Sequence, residues 1–394
     1  MTVPTHSREA DMPVPPVRCA VVGCGNVSAK YLRTLTRAPI IDIVACCDSI
    51  PERARQLAAS CARAVPASLP ETLRDASIEL VINLTPPRWH AGITRQALEA
   101  GKSVYTEKPL AASAAELDEL LATAPAGGPM PGGAMPGGAM LGGAPDTVLG
   151  AAAQAARRAI DQGLIGHPLG AAAALLTPGH ERSCPTPEVF YQPGAGPLLD
   201  MGVYYLSMLV GLLGPVRDVV GAHRRPAPRR SIDTGPRAGE TFLADVPTHL
   251  AALLEFETGA VATLTTSFEV WGTRIPHLEI FGTEGTLAIP DPNFYTGKVR
   301  LKTARSSRWT TVPYPADAPG GRGIGVVDMA HALRGLTEQR LTGGFVGHVM
   351  ETMLAIETPE TSPVRLRSRC DRPAPLGPTP YATGCWWCER CGDP

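Results

Sequence analysis

Three short stretches hold the residues best able to do chemistry. Thr106-Glu107-Lys108-Pro109-Leu110 places one amine, Lys108, after a strand-like apolar run and before a helix-like one. In an open α/β sheet, ligands lie outside the carboxyl ends of the strands. An amine at such an end can give a proton to a bound molecule or take one from it. Taken alone, Glu107 and Lys108 could equally be an exposed ion pair of small consequence. Asp200 and Tyr204 are spaced i, i+4 and so share a helix face. Asp200 falls near that helix's N-terminus, where the dipole favours the carboxylate. It could orient a substrate hydroxyl or pair with Lys108, and the Tyr204 phenol could donate or relay a proton. N-capping and core packing are the competing uses of both.

The third stretch is Gly23-Cys24-Gly25-Asn26-Val27-Ser28, directly after the apolar run Val17–Val22. In a dinucleotide fingerprint the first glycine permits a tight turn and the second lets a pyrophosphate approach the backbone. The phosphates then rest on the N-terminus of the next helix. Ser28 stands where a third glycine is usual. Asp48 ends the next strand about 20 residues on, as the fingerprint expects. It should accept hydrogen bonds from the adenine ribose and repel a 2′-phosphate, which favours NAD over NADP. It could also cap the following helix. Thr85, Pro86 and His90 follow the next strand on the cofactor side. His90 either touches a ligand or packs at a helix start. The expected cofactor-binding set is Gly23, Gly25, Asn26, Val27, Asp48, Thr85, Pro86, His90, Glu107 and Lys108.

The elements that must position these residues alternate. Strands are expected at Val17–Val22, Ile40–Cys47, Ile78–Leu84 and Ser103–Tyr105. Helices should follow the glycine loop, begin at Pro51, span about Arg88–Ala100 and span Ala114–Ala124. Such alternation argues for a parallel sheet with helices on both faces. Residues 126–144 repeat Pro-Gly-Gly-Ala-Met and are read as a flexible insertion without strand or helix. Then come a helix at Ala151–Gln162, a strand at Pro168–Leu176 and a helix at Leu199–Leu213. Hairpins follow at 248–268 and 278–289. Helices are expected at Ile324–Gly335 and Phe345–Ile356, the latter returning towards the first domain. The predicted architecture is a disordered leader (1–16), an α/β dinucleotide-binding domain (17–125), the insertion, and an α+β domain (145–360). The last has a mostly antiparallel sheet with helices on one face, and a disordered tail (361–394) follows it; the resemblance given below implies that the first is a Rossmann domain and that the sheet of the second is open-faced.

The chain has 394 residues, 44% of them hydrophobic, with a formal net charge of −1. That is core enough for two domains, and nothing in the charge favours nucleic acid or an acidic membrane. No apolar run is long enough to span a bilayer and no signal peptide is evident, so a cytoplasmic location is expected. The ten cysteines do not read as a disulfide framework in a chain of this kind. Cys385, Cys388 and Cys391 lack a well-spaced fourth ligand for zinc, so no metal is expected. His180, His249 and Trp271 could line a pocket, though packing or surface roles are the simpler reading.

Together these motifs resemble the Gfo/Idh/MocA family of glucose–fructose oxidoreductase and inositol dehydrogenase-like enzymes. The resemblance rests on Gly23-Cys24-Gly25-Asn26, Asp48, Thr85-Pro86 with His90, Glu107-Lys108-Pro109-Leu110, and Asp200-x-Gly202-x-Tyr204. It implies a Rossmann domain with an open-sheet partner, NAD(P), and a sugar, polyol or cyclitol substrate. It also implies Lys108 as the catalytic acid/base, with a cis bond to Pro109. Two departures stand out. Many members carry His where this chain has Tyr204, and a phenol titrates near 10 rather than near 6.5. An Arg-bearing segment common in the family reads Ala144-Pro145-Asp146-Thr147 here. The expected chemistry is hydride transfer between nicotinamide and a carbinol carbon. Lys108, its pKa lowered beside a cationic ring, would be the base, and Asp200 would hold the substrate and tune it. A transient use of NAD for elimination or hydrolysis, and a silent NAD-binding sensor, are the rival readings. A homo-oligomer would suit an exposed sheet face.

Overall fold

The computed structural model describes residues 14–123, 138–315, 320–358, 363–368 and 370–376. The first domain is built on a parallel sheet of β1 (Val17–Val22), β2 (Ile41–Cys47), β3 (Val65–Pro66), β4 (Leu80–Asn83), β5 (Ser103–Thr106) and β6 (Leu141–Gly143). Their order is β3-β2-β1-β4-β5-β6, reversing direction of growth beside β1 and β4. Helices α1 (Asn26–Leu35), α2 (Pro51–Ala58), α3 (Leu69–Arg74), α4 (His90–Glu99) and α5 (Ala114–Thr123) connect the strands. Five of the six β1 residues are buried, as a strand covered on both faces requires. On α1 the period of 3.6 buries Tyr31, Leu32 and Leu35 against that sheet.

Two elements of this domain, β3 and α3, were not foreseen. β3 is too short to show alternation. α3 carries a capping box in which Ser68 N–H donates to Glu71 Oε2 at 2.8 Å and Glu71 N–H returns to Ser68 Oγ. That Ser-x-x-Glu signal was present in the sequence. The expectation of no strand in 126–144 is corrected at its end, where Leu141–Gly143 pairs in parallel with β5. A Cβ on Gly143 would lie 2.9 Å from Thr106 O, so glycine is there for close approach rather than for looseness. The Pro-Gly-Gly-Ala-Met repeats lie mostly outside the described residues.

The second domain comprises α6 (Ala151–Asp161), β7 (Pro168–Leu176), α7 (Val203–Leu213), β8 (Val216–Arg224), β9 (Arg229–Ser231), β10 (Thr241–Leu243), β11 (His249–Phe256), β12 (Val261–Ser267), β13 (Leu278–Gly282), β14 (Gly285–Ile289), β15 (Arg300–Thr303), β16 (Thr310–Thr311), α8 (Ile324–Leu333), α9 (Gly343–Glu357) and β17 (Val364–Arg365). Nine strands form one sheet in the order β16-β15-β14-β13-β7-β12-β11-β8-β17, with β9 and β10 as a separate ribbon. All pairs in the large sheet are antiparallel except β7 with β12. Both expected hairpins, β11–β12 and β13–β14, form. One face packs on the apolar α7; the other leaves Leu253, Val261 and Phe281 exposed. α8 packs on α1, β5 and β6, and α9 packs on α5 and β6 as well as on β8, so both return to the first domain.

Two further expectations change. The tail was expected to be disordered from 361, yet β17 pairs with β8, and Arg365 Nε donates to Asp218 Oδ1 at 2.8 Å. Pro373 O accepts from Arg157 Nη1 at 2.6 Å, and Leu376 N–H donates to Gln154 Oε1 at 2.8 Å. These partners are long-range, and a Pro- and Arg-rich composition conceals them. Cys385, Cys388 and Cys391 lie outside the described residues, as does most of the leader. The helix expected from Leu199 begins as a π-helical turn, Pro197–Gly202, before α7 proper. No described helix is long and apolar enough to cross a membrane, and no described cluster of side chains could hold a metal ion.

Candidate active site

At the β1–α1 turn, Gly23 has φ +96° and its Cβ position lies 2.6 Å from Leu84 C and Thr85 N, so only glycine closes this turn. Gly25 is the opposite case: no atom lies within 4 Å of where its Cβ would be. That open space faces the start of α1, whose first N–H groups have no side-chain cap. Ser28 is buried and its Oγ donates to Gly25 O at 2.6 Å, bracing the loop from below. Asp48 accepts from Cys24 N–H through Oδ2 and from Ile50 N–H through Oδ1, both at 2.8 Å. It therefore ties β2 to the glycine loop, and Ile50 rather than Asp48 is the N-cap of α2.

Two cavities open here. One, of about 410 Å³, is lined by Cys24, Gly25, Asn26, Ser28 and Arg53. The other, of about 570 Å³, is lined by Asp48, Ser49, Arg53, Thr85, Pro86 and Trp89 among others. A bare helix N-terminus behind an open glycine suits a pyrophosphate, and a carboxylate in the adjoining cavity suits a ribose diol. The residues present thus fit a dinucleotide. Arg53, which lines both cavities, had not been picked out; a lone Arg on a short helix carries no sequence signal.

Below this surface Asn83 is fully buried at the end of β4. Its Nδ2 donates to His90 O and to Thr94 Oγ1 at 3.1 Å, while its Oδ1 accepts from Thr85 Oγ1 at 2.7 Å. His90 was placed with the cofactor-binding residues. Its Nδ1 lies 2.7 Å from Pro109 O and its Nε2 lies 2.6 Å from Thr85 O, so both ring nitrogens face backbone carbonyls and neither is left for a ligand. Burial pushes its pKa down against those two contacts. His90 thus fastens the Thr85 loop to the Lys108-Pro109 loop, whose peptide bond is cis. Glu107 is also turned inward, accepting from Tyr31 O–H at 2.8 Å and from Lys108 N–H at 3.0 Å.

Lys108 leaves β5 and reaches the second domain. Its Nζ donates to both the carbonyl O and the Oδ1 of Asp200, each at 2.6 Å. The side chains are 15% and 17% exposed, so the pair lies at a cleft rather than in solvent. The π-helical turn carries Asp200, a geometry that recurs at functional sites. The notion of a plain i, i+4 face is therefore replaced by a wider turn that presents both carbonyl and carboxylate to one amine. The expected lowering of the Lys108 pKa is not what this arrangement produces. Burial pulls it down, but Asp200, Tyr204 and Glu107 together push it above the ordinary amine range. For Asp200 burial acts upward, and the Lys108 ammonium followed by His180 pulls its carboxyl well below the usual carboxylate range. In this state Lys108 is a held proton donor.

Tyr204 is buried, with Lys108 Nζ and Arg322 Cζ each 5.5 Å from its ring centroid. Burial raises its pKa despite both cations. Arg322, in the loop before α8, was not anticipated, since nothing in Gly320-Gly321-Arg322-Gly323 marks it. That loop is fixed by Asp146, whose Oδ2 accepts from Gly323 N–H at 2.8 Å and Gly325 N–H at 3.1 Å. His180, given only a secondary place from sequence, lies with Nε2 3.4 Å from Asp200 Oδ2. His249 instead bonds Ser267 Oγ at 2.9 Å. Trp271 is 76% exposed and stacks on Arg182 at 4.4 Å.

A dinucleotide-shaped first domain, completed by an acid from an open-sheet second domain, defines the two-domain nicotinamide oxidoreductase fold. Residues 17–130 match the oxidoreductase family with an NAD-binding Rossmann fold, and residues 153–288 match the GFO/IDH/MocA C-terminal domain. The chain belongs to the Gfo/Idh/MocA family. It is 30% identical to D-glucoside 3-dehydrogenase of Escherichia coli (strain K12), over 64% of this chain and 70% of that protein. It is also 30% identical to dTDP-3,4-didehydro-2,6-dideoxy-alpha-D-glucose 3-reductase of Streptomyces violaceoruber, over 61% of this chain and 66% of that one. A crystal structure of a NAD binding oxidoreductase from Klebsiella pneumoniae shares the fold, with TM-score 0.70 and 22% identity, covering 87% of this chain and 96% of that one.

Proposed function

We propose that this protein transfers a hydride between a nicotinamide cofactor, NAD in preference to NADP, and a hydroxyl-bearing carbon of a sugar, polyol or cyclitol. The contact of Lys108 Nζ with Asp200, at 2.6 Å across the two domains, is the observation that carries the reading. The names of the two relatives above both place reaction at carbon 3 of a hexose-derived ring, which supports a pyranose-like substrate. Bound NAD would accept or supply the hydride. Gly25 and the α1 N-terminus would hold its pyrophosphate and Asp48 its adenine ribose, with Thr85 and Pro86 along the same cavity.

In the reduction direction Lys108 gives its proton to the nascent alkoxide; in oxidation the neutral amine takes the hydroxyl proton. Asp200 aims the amine and sets its pKa, and Tyr204 shields the pair from water. The apolar residues Val261 and Phe281 flank Gly170 on the outer sheet face, with Leu253 beyond, which supports self-association there. The test is a panel of hexoses, glucosides and inositols, read by NADH absorbance in both directions. Turnover on a ring alcohol that falls away in Lys108→Ala is expected. A Lys108→Ala protein with near-normal turnover would remove this reading.

A further inference from the structure

Among the groups facing Asp200, His180 is the one whose position asks for a function. Its Nε2 is buried and has no close hydrogen-bond partner, the nearest acceptor being Asp200 Oδ2 at 3.4 Å. The side chain as a whole is 27% exposed, so its exposure belongs to the rest of the ring. One edge of the imidazole therefore looks inward at the Lys108–Asp200 pair and another looks outward.

The ring is held rather than loose. Phe190 stacks on it at 4.1 Å and 26°, and Phe268 meets it edge-on at 4.9 Å. Its backbone N–H donates to Tyr191 Oη at 3.2 Å, and Tyr191 O–H in turn donates to Glu181 Oε2. Glu181 is 1% exposed, and its Oε1 accepts from Arg230 Nε at 2.9 Å and Nη2 at 2.7 Å. Arg230 also donates to Glu269 Oε1 at 2.6 Å and Phe268 O at 2.9 Å. A buried ion-pair network is a costly way to gain stability. Here it fixes the short turn that carries His180 and the phenylalanine that edges it. The other charged neighbour on that turn, Arg182, is turned away to Asp233 and Trp271.

We infer that His180 is the proton exit of this site, a positioning and relay residue that acts through Asp200. The inference rests on the dehydrogenase reading. Oxidation of an alcohol yields a carbonyl, a hydride taken up with its electron pair by the nicotinamide, and one proton. That proton passes from the substrate hydroxyl to neutral Lys108 Nζ, then through Asp200, which is protonated only in passing and returns to the carboxylate, to His180 Nε2, and from the other ring nitrogen to water. Reduction runs the same path inward. Tyr204 cannot serve as this exit, because its phenol is sealed in the core. An imidazole with one nitrogen inside and its far edge outside is suited to such shuttling.

The first test needs neither substrate nor cofactor. NMR of histidine-labelled protein follows the two His180 ring nitrogens in the wild type, Asp200→Asn and Lys108→Met. Loss of the carboxylate that lies 3.4 Å from Nε2 should move the Nε2 resonance and leave the other ring nitrogen little changed. An Nε2 resonance unmoved in Asp200→Asn overturns the relay. The second test uses the panel's best sugar. In His180→Ala, kcat should fall roughly 10- to 100-fold with KM within about twofold, and added imidazole should restore turnover. Wild-type kcat, or a loss with raised KM and no imidazole rescue, overturns it. His180→Asn serves if the alanine variant fails to fold. Lys108→Ala, run in parallel, separates the two failures. If it is inactive while His180→Ala is normal, only the relay falls; if it remains active, the dehydrogenase reading falls first.

Discussion

Replacing Asp200 with Asn keeps the size of the side chain and removes the charge 2.6 Å from Lys108 Nζ. At that separation the Coulomb attraction is about 1.5 kcal/mol in water and about 6 kcal/mol at an effective dielectric of about 20. With about 1.36 kcal/mol per pKa unit, those limits correspond to about 1 and about 4 units. The pair is mostly shielded from solvent, so a fall of about 2–3 units in the Lys108 pKa is expected. Burial, already the largest single influence on this amine, acts downward and is then opposed only by Tyr204 and Glu107. A general base must be neutral, so in oxidation the rising limb of kcat/KM against pH should move by that amount towards acid. The height of the profile should fall, because the amine is no longer aimed. kcat/KM reports the free enzyme, the state whose geometry gives the argument. The assay is the initial rate of NADH formation from about pH 6 to about pH 11 at constant ionic strength, where the wild type should still be rising at the alkaline end and Asp200→Asn should already level off. A rising limb that stays where the wild type has it, in a folded protein, would refute the claim that Asp200 holds this proton on Lys108.

Other outcomes follow from the same geometry. Asp200→Asn also leaves an ammonium without its counter-charge and should cost about 3 kcal/mol of stability. The depressed Asp200 contributes stability above the ordinary carboxylate range and loses it as pH falls through its folded pKa, so thermal melts of mutant and wild type should converge only in acid. Gly25→Ala should melt like the wild type, since its φ of −85° suits alanine and its Cβ meets nothing, but should bind NAD at least about tenfold more weakly by titration calorimetry. Lys108→Ala should bind NAD normally and lose turnover by about 10²- to 10⁴-fold, read by calorimetry and NADH absorbance. Arg230→Met strands the buried Glu181 and should lower stability by about 3–5 kcal/mol in urea unfolding.

The local pattern of residues was enough to place the first domain. Strand, glycine turn, helix and a closing acid are written consecutively, because a dinucleotide site is built from backbone geometry that neighbouring residues control. Lys108 at the end of β5 and Asp200 at a helix start were legible for the same reason. Where partners are distant in sequence, the chain gave no cue. Leu141–Gly143 looks like part of a glycine-rich repeat until β5 lies beside it, and Val364–Arg365 looks like tail until β8 does. The expected lowering of the Lys108 pKa was argued from a cationic ring beside the amine; the opposing pull of the carboxylate that the π-helical turn delivers could not be read from sequence, because the period of a helix cannot show that turn. Arg322 and His180 enter the site only through folding, one on a loop fixed by Asp146 and the other on a turn fixed by Glu181 and Arg230. Charges that meet across a cleft are set by tertiary distance, and Coulomb energy depends on that distance rather than on separation along the chain.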